Sequence, residues 1–257
     1  MDLALWALAA LFTPLFPLSW LFNRLVASLP AGAIQGFAVL VLPQLGIEIL
    51  HRAPQGPLCS AAFRPWVMAL ATASALLYAV RALSARELGV WTRLVLCSGL
   101  ATVWLAWAVG APVQVLQLMA LGWGLPAAVA LYLTGVFVRR VGGAYVGLHG
   151  GLVAVMPRMT ASLVFAVLAL TVTPVFPAFF MLWKGLGSIP VAWLPFWLPL
   201  IFLWGWAAGR LFQDLLFGDY RGEPVTDIGG MSVALIGFVF LASLIVSVIG
   251  SGGASWR

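Results

Sequence analysis

Long apolar runs separated by short charged segments constrain the fold of this chain more than any other feature. Runs of about 20 residues suit helices that cross a hydrocarbon core of about 30 Å, and the roughly ten-residue alternation of outer-membrane strands is absent. Charged residues make up 8% of the chain and the mean hydropathy is +1.09, outside the range of soluble domains. The sequence therefore predicts an all-α integral membrane protein with a single transmembrane domain over residues 1–257.

The apolar runs predict eight membrane spans. They cover residues 3–22, 31–50, 65–80, 94–110, 113–138, 160–183, 191–208 and 228–249. The first run lacks the basic start of a signal peptide, so we expect a retained helix. We predict helix breaks at Pro126, Pro174 and Pro177, because proline removes a backbone donor. Broken helices line ion paths in transporters, but prolines also produce simple packing kinks.

Basic residues are divided unevenly between the two sets of loops. One side is predicted to carry nine arginines, namely Arg24, Arg81, Arg86, Arg93, Arg139, Arg140, Arg158, Arg210 and Arg221. The other side carries only Arg52, Arg64, Lys184 and Arg257. The positive-inside rule then places the arginine-rich side in the cytoplasm and both termini outside it, in a bacterial-type inner membrane. Residues 139–159 are expected to lie along the cytoplasmic face as an amphipathic segment.

The few histidines and cysteines argue against a catalytic, cofactor or metal site. His51 and His149 lie outside the predicted spans, Cys59 lies in a loop, and Cys97 lies inside an apolar run. Haem or an iron–sulfur cluster needs several such ligands brought together. We therefore predict no catalytic residues, no cofactor and no metal. Topology explains the net charge of +6, so we expect no nucleic acid as a partner.

Ion movement remains as a chemical role, and few side chains qualify for it. Lys184 is the only lysine, and it is either an anchor at the membrane surface beside Trp183 or a protonatable group of an ion path. Glu48 is a second candidate, although it is also explained as an interfacial carboxylate near Arg52. Gln35 and Gln117 are predicted either to hold water in a path or to join helices by hydrogen bonds.

Several motifs occur in the order found in one known family. The first is FPLSWLFNRLVASLPAGA at residues 16–33, and the one with the strongest similarity is GLHGGLVAVMPRMTASLVFAVLALTVTPVFPAFFMLWK at 147–184. Residues 77–112 and 209–227 supply the others. Together they resemble the antiporter-like subunits of NADH-quinone oxidoreductase. Those subunits are similar to subunits of multi-subunit sodium/proton antiporters, of membrane-bound hydrogenases and of an inorganic-carbon uptake system.

This resemblance implies a fold and a set of relay positions. The family has about fourteen membrane helices, some of them broken, so this chain would correspond to roughly the C-terminal eight. Positions of the family's line of lysine, histidine and glutamate residues would fall here at Phe12 or Thr13, at Gln35 or Gly36, at Gly89, and near Trp123 and Ala127. Only the last position of that line has a titratable candidate, and it is Lys184.

Three functions follow as hypotheses. The first is a degenerate antiporter-like subunit with a structural or coupling role, embedded in the lipid bilayer among other membrane subunits of a larger ion-translocating or respiratory complex. The second is an active proton- or sodium-translocating subunit that uses Lys184 with residues of a partner. The third is an enzyme that acts on a lipid or a quinone, for which no catalytic constellation is visible.

Overall fold

The computed structural model describes residues 2–52, 62–147, 150–186, 189–220 and 225–252. These residues form α-helices and one 3-10 helix at Val191–Phe196. The α-helices are α1 Asp2–Phe12, α2 Ser19–Ser28, α3 Ala33–Arg52, α4 Arg64–Leu83, α5 Leu88–Ala108, α6 Val113–Val141, α7 Leu152–Val155, α8 Pro157–Leu170, α9 Pro177–Leu186, α10 Trp197–Leu216 and α11 Gly230–Gly252. Helix occupies every predicted span, so the prediction of an all-α membrane fold is confirmed.

Two of the predicted spans are broken helices. The first span consists of α1 and α2, which are separated by a turn that contains Pro14 and Pro17. The sixth consists of α8 and α9, separated by a turn around Pro174, and Pro177 is the first residue of α9. Val172 adopts a φ of 60° in this second turn, a conformation outside the helical region. Proline cannot donate the next backbone hydrogen bond, which explains why helix ends here.

The predicted break at Pro126 is wrong. Helix α6 continues through Pro126 and ends only at Val141, where Gly142 with φ 87° provides a left-handed cap. Most of α6 is buried among other helices, and this packing holds its two halves together despite the missing backbone donor. Pro43 lies inside α3 in the same way.

Helix α5 forms the centre of the bundle and is almost wholly buried. It packs between α4 and α6, and α3 packs on the other side of α6. Small residues allow α6 and the start of α3 to approach closely: a Cβ built on Gly135 would lie 2.7 Å from the Gly32 nitrogen. This is the packing expected where lipid supplies no hydrophobic force between helices.

Two arginines lie deeper in their helices than the predicted span limits suggest. Helix α5 begins at Leu88, six residues before the predicted start at 94, so Arg93 lies within the helix and is half-buried. Helix α10 continues to Leu216, and the Arg210 guanidinium donates a hydrogen bond of 2.6 Å to the Leu83 carbonyl. Hydropathy misplaced both limits, because a long arginine side chain can leave the hydrocarbon from inside a helix.

The segments that follow α4, α6 and α10 meet at one end of the bundle, which we call the arginine-rich end. An isolated bridge joins Glu87 to Tyr145, and Arg140 donates a hydrogen bond to the Thr226 carbonyl. Asp227 accepts hydrogen bonds from the backbone nitrogens at the start of α8. Within the described part of 139–159, the chain forms the end of α6, a turn, the four-residue helix α7 and the start of α8. Arg221 and His149 lie outside the described residues.

Candidate functional site

Lys184 lies near the end of α9 and is half-buried, beside the exposed ring of Trp183. Helix α9 begins against α6, where a Cβ built on Gly122 would lie 3.3 Å from Ala178 Cα. The path from Arg140 along α6 to Gly122, and then along α9 from Ala178 to Lys184, is on the order of 36 Å long at about 1.5 Å per residue, which sets an upper limit on the distance between the two ends. This limit exceeds the thickness of a hydrocarbon core, about 30 Å, so the fold leaves room for Lys184 at the surface opposite the arginines, as the surface-anchor interpretation requires.

Gln35 is buried at the start of α3. Its Nε2 donates a hydrogen bond of 3.0 Å to the carbonyl of Leu29, the residue that follows α2. The amide therefore satisfies a helix-end carbonyl that would otherwise lack a partner. Of the two roles predicted for Gln35, holding water in a path or joining helices by a hydrogen bond, the structure shows a hydrogen bond between elements of the fold.

Gln117 and Glu48 also take part in local contacts. The backbone carbonyl of Gln117 accepts a hydrogen bond of 3.1 Å from the Gln44 side chain through Nε2, which joins α6 to α3. Glu48 Oε1 lies 2.7 Å from Arg52 Nε, one helical turn away, and both side chains are well exposed. An exposed pair at this spacing contributes about 0.3–0.5 kcal/mol at most.

The candidates do not form one cluster. Gln35 and Gln44 lie on the same helix, about 14 Å apart along its axis. Because Gln44 contacts Gln117, Gln35 and Gln117 belong to different levels of the bundle. Glu48 lies further along α3 than Gln44, and its carboxylate forms an ion pair with Arg52.

The centre of the bundle contains indole rings and hydroxyl groups. The Trp204 indole nitrogen donates a hydrogen bond of 2.9 Å to Ser98 Oγ, and Ser98 donates one of 2.6 Å to the Ala75 carbonyl. The rings of Trp123 and Trp204 are 4.9 Å apart, and Trp123 lies directly on Gly99. All five residues are buried. This cluster was not predicted, because a serine and two tryptophans in apolar runs give no signal of their mutual contact.

The positions at which the family resemblance expects relay groups are filled by other residues. Thr13 is fully buried; its carbonyl accepts a hydrogen bond of 2.9 Å from the Trp104 indole. Gly89, Trp123 and Ala127 are also buried. Among the described residues, the buried polar side chains outside tyrosine, tryptophan and cysteine are hydroxyls and the single amide of Gln35.

Cys97 is buried in α5, where its Sγ accepts a hydrogen bond of 3.1 Å from Asn23 Nδ2. This contact joins α5 to α2, the second half of the first broken helix. Cys59 lies outside the described residues.

No protein-family model matches the sequence, and no curated protein matches it. The chain is similar to a chain of respiratory complex I from Thermus thermophilus with bound NADH, with a TM-score of 0.83 and 22% identity over 97% of this chain and 54% of that one. It is similar to a chain of the Mrp complex from Dietzia sp. DQ12-45-1b, with a TM-score of 0.78 and 13% identity over 94% of this chain and 55% of that one.

A further chain of respiratory complex I from Thermus thermophilus, with bound aureothin, gives a TM-score of 0.72 at 14% identity over 94% of this chain and 55% of that one. The chain thus spans about half the length of the solved chains that it matches. At these identities the likeness concerns the fold, and the fold implied by the sequence resemblance is confirmed.

Proposed function

We propose that this chain is an antiporter-like subunit of a larger ion-translocating or respiratory membrane complex, in which it has a structural or coupling role. The fold supports the first part of the proposal, since chains of respiratory complex I and of the Mrp complex share it. The composition of the bundle centre supports the second part.

One observation carries the structural role. A proton relay needs titratable groups that lie close to one another or are joined by water. Thr13 and Trp123 occupy two of the expected relay positions, and each packs tightly in the core. Gln35 occupies a third and is engaged with the Leu29 carbonyl. These side chains exchange no protons near neutral pH, so they favour helix packing over conduction.

Companion membrane subunits are part of the proposal. The chain has the length of about half of the matched chains. Large apolar side chains are exposed on α2 and α3, among them Trp20 and Phe37. We propose that other membrane subunits, together with lipid, cover such faces in the assembled complex.

A second candidate function is active translocation through Lys184. It is favoured by the broken helix that precedes this residue, because the turn at Pro174 and Pro177 is the kind of interruption that lines ion paths in transporters. In this alternative, Lys184 exchanges protons with an acidic group of a partner subunit.

The variant Lys184→Ala separates the two functions. The intact complex, reconstituted in vesicles, is assayed for proton and sodium flux, and its subunit composition is measured in parallel. For a structural role we expect unchanged flux and unchanged assembly. Loss of flux in a fully assembled complex would overturn the structural role in favour of active translocation.

Purification of the chain in mild detergent, followed by mass spectrometry of the companions, tests the assembly itself. We expect several membrane subunits to be recovered together with it. Recovery of the chain as a monomer from its native membrane would contradict the proposal for both functions.

A further inference from the structure

A pocket of about 220 Å³ opens at the arginine-rich end of the bundle. Three arginines line it, and each comes from a different helix: Arg24 from α2, Arg81 from α4 and Arg93 from α5. Packing of the three helices therefore brings Arg24 together with two arginines that follow it in the sequence by more than 50 residues. We call this site the arginine pocket.

The positive charge of the arginine pocket is not balanced by neighbouring carboxylates. Among the described residues, none of the three guanidinium groups has a carboxylate oxygen within 4.0 Å. Arg24 lies over the ring of Trp20 at 5.4 Å, and Arg81 over the ring of Tyr78 at 6.0 Å. Such contacts stabilise a cation without neutralising it.

One acidic side chain approaches the pocket from the start of α5. A Cβ built on Gly89 would lie 3.4 Å from Glu87 Oε1 and 3.5 Å from an Arg93 guanidinium nitrogen. Glu87 is thus near Arg93, but it does not line the pocket. Three cations with one nearby carboxylate leave an excess of positive charge, which an anion would stabilise.

The surroundings of the pocket indicate where this anion comes from. Trp20 lines the pocket and is 57% exposed, and tryptophan is typical of the level of lipid headgroups. Exposed apolar side chains continue from the pocket along α2 and α4 towards the bilayer centre, among them Leu21, before Arg24, and Val80, before Arg81. A phosphate in the pocket with two acyl chains on these faces would satisfy both features, whereas a soluble anion would use only the pocket.

We propose that the arginine pocket binds the phosphate group of an anionic phospholipid. Arginine suits this task because its planar fork of N–H donors matches phosphate oxygens in pairs. Basic pockets between membrane helices on the cytoplasmic side recognise lipid headgroups in the same way. The site does not depend on any relay role of this chain, so it is independent of the proposed function.

Lipid titration of the full chain in neutral detergent, followed by native mass spectrometry, tests the proposal. The probes are dioleoyl-phosphatidylglycerol, dioleoyl-phosphatidylcholine and soluble glycerol 3-phosphate. The variants are Arg81→Gln and Arg24→Gln, whose exposed side chains make their loss tolerable for folding. Arg86→Gln is the matched control, because it removes an exposed charge at the same end outside the pocket.

We expect phosphatidylglycerol to bind more tightly than phosphatidylcholine, and Arg81→Gln or Arg24→Gln to weaken it about tenfold, the effect of one lost charge-assisted hydrogen bond. The control should bind as the unmodified chain does. The proposal is overturned if both pocket variants retain full affinity, or if phosphatidylcholine binds equally well. Equal binding of glycerol 3-phosphate would assign the pocket to a soluble anion and refute the lipid.

Discussion

The contact between Gly99 and Trp123 provides the sharpest test of how the bundle centre is packed. Trp123 occupies a position at which the family resemblance expects a relay histidine, and its ring lies on the bare backbone of α5 at Gly99. A Cβ built on Gly99 would lie 2.6 Å from Trp123 Cε2 and closer still to two other ring atoms. Ordinary van der Waals contact begins at 3.4 Å. The variant Gly99→Ala must therefore displace a ring that is enclosed in the core.

The expected magnitude follows from two opposing terms. Replacing glycine by alanine inside a helix favours folding by about 0.5–1 kcal/mol. Extra volume in a well-packed core costs about 1–3 kcal/mol, and the upper limit applies here because Trp123 also packs on Trp204. We expect Gly99→Ala to lower the free energy of unfolding by about 2 kcal/mol. Gly205→Ala is the matched control: it lies inside α10 with nothing within 4 Å of the added carbon, and it should be neutral or slightly stabilising.

Unfolding in mixed detergent micelles, followed by far-ultraviolet circular dichroism, measures both variants. Combination with Trp123→Leu completes a double-mutant cycle, since leucine removes the ring that the new methyl group meets. The double variant should be more stable than the sum of the single effects predicts, by about 1 kcal/mol or more. If Gly99→Ala is no more destabilising than Gly205→Ala, or if the two core changes are additive, the tight contact does not exist and the centre has room for water.

Three further expectations concern hydrogen bonds and charge. Asp227→Ala removes the hydrogen bonds of 2.7 and 3.0 Å to the backbone nitrogens of Arg158 and Met159 at the start of α8. It should lower the unfolding free energy by about 1–2 kcal/mol. The control Asp219→Ala, on the exposed loop, should leave the unfolding free energy unchanged. Ser98→Ala removes the acceptor of the buried Trp204 indole N–H and should lower the unfolding free energy by about 1–2 kcal/mol. Ser84→Ala, at an exposed helix end, should lower it less, and equal effects of the two variants would contradict the central hydrogen bonds. Glu48→Gln should change stability by less than about 0.5 kcal/mol and leave ion flux of the complex unaltered, and a loss of flux would restore Glu48 as a pathway residue.

Hydropathy was sufficient to predict the helical spans, because the length of an apolar run reflects bilayer thickness directly. Hydropathy predicted the helix limits near the arginine-rich end of the bundle less well. Arg93 and Arg210 lie inside helices whose predicted limits stopped near them, since one charge lowers the local hydropathy even when its side chain reaches an interface or a carbonyl. Pro126 was predicted to break a helix that continues, because tertiary packing is invisible in a local pattern.

The candidate site was less predictable than the fold. Polar residues inside spans were the natural candidates, and Gln35 and Gln117 were chosen on this basis. The Gln35 amide meets the backbone carbonyl of Leu29, and the backbone carbonyl of Gln117 meets the side-chain amide of Gln44. Sequence alone does not say which carbonyl an amide will meet. The arginine pocket escaped prediction for the same reason, since Arg24, Arg81 and Arg93 were interpreted only as signs of topology.

The two broken helices differ in a way that bears on conduction. In transporters, an unwound turn lines an ion path because its free carbonyls and amides face a wet cavity. In the turn between α1 and α2, the Thr13 carbonyl accepts the Trp104 indole N–H, and the Phe16 nitrogen donates to Ser74 Oγ at 3.2 Å. Side chains of α4 and α5 thus form the hydrogen bonds to this turn that water or an ion would form in a wet cavity.

The turn between α8 and α9 lies instead at the surface of the bundle, where Pro174 and Val175 are exposed. Polar groups of a neighbouring subunit could reach this turn, whereas the first turn is already enclosed by its own chain. Of the two breaks, the second is therefore the one at which an ion path shared with a partner subunit is to be tested. Because Lys184 is the titratable side chain of α9, Lys184→Ala tests conduction at the one break that remains accessible among the described residues.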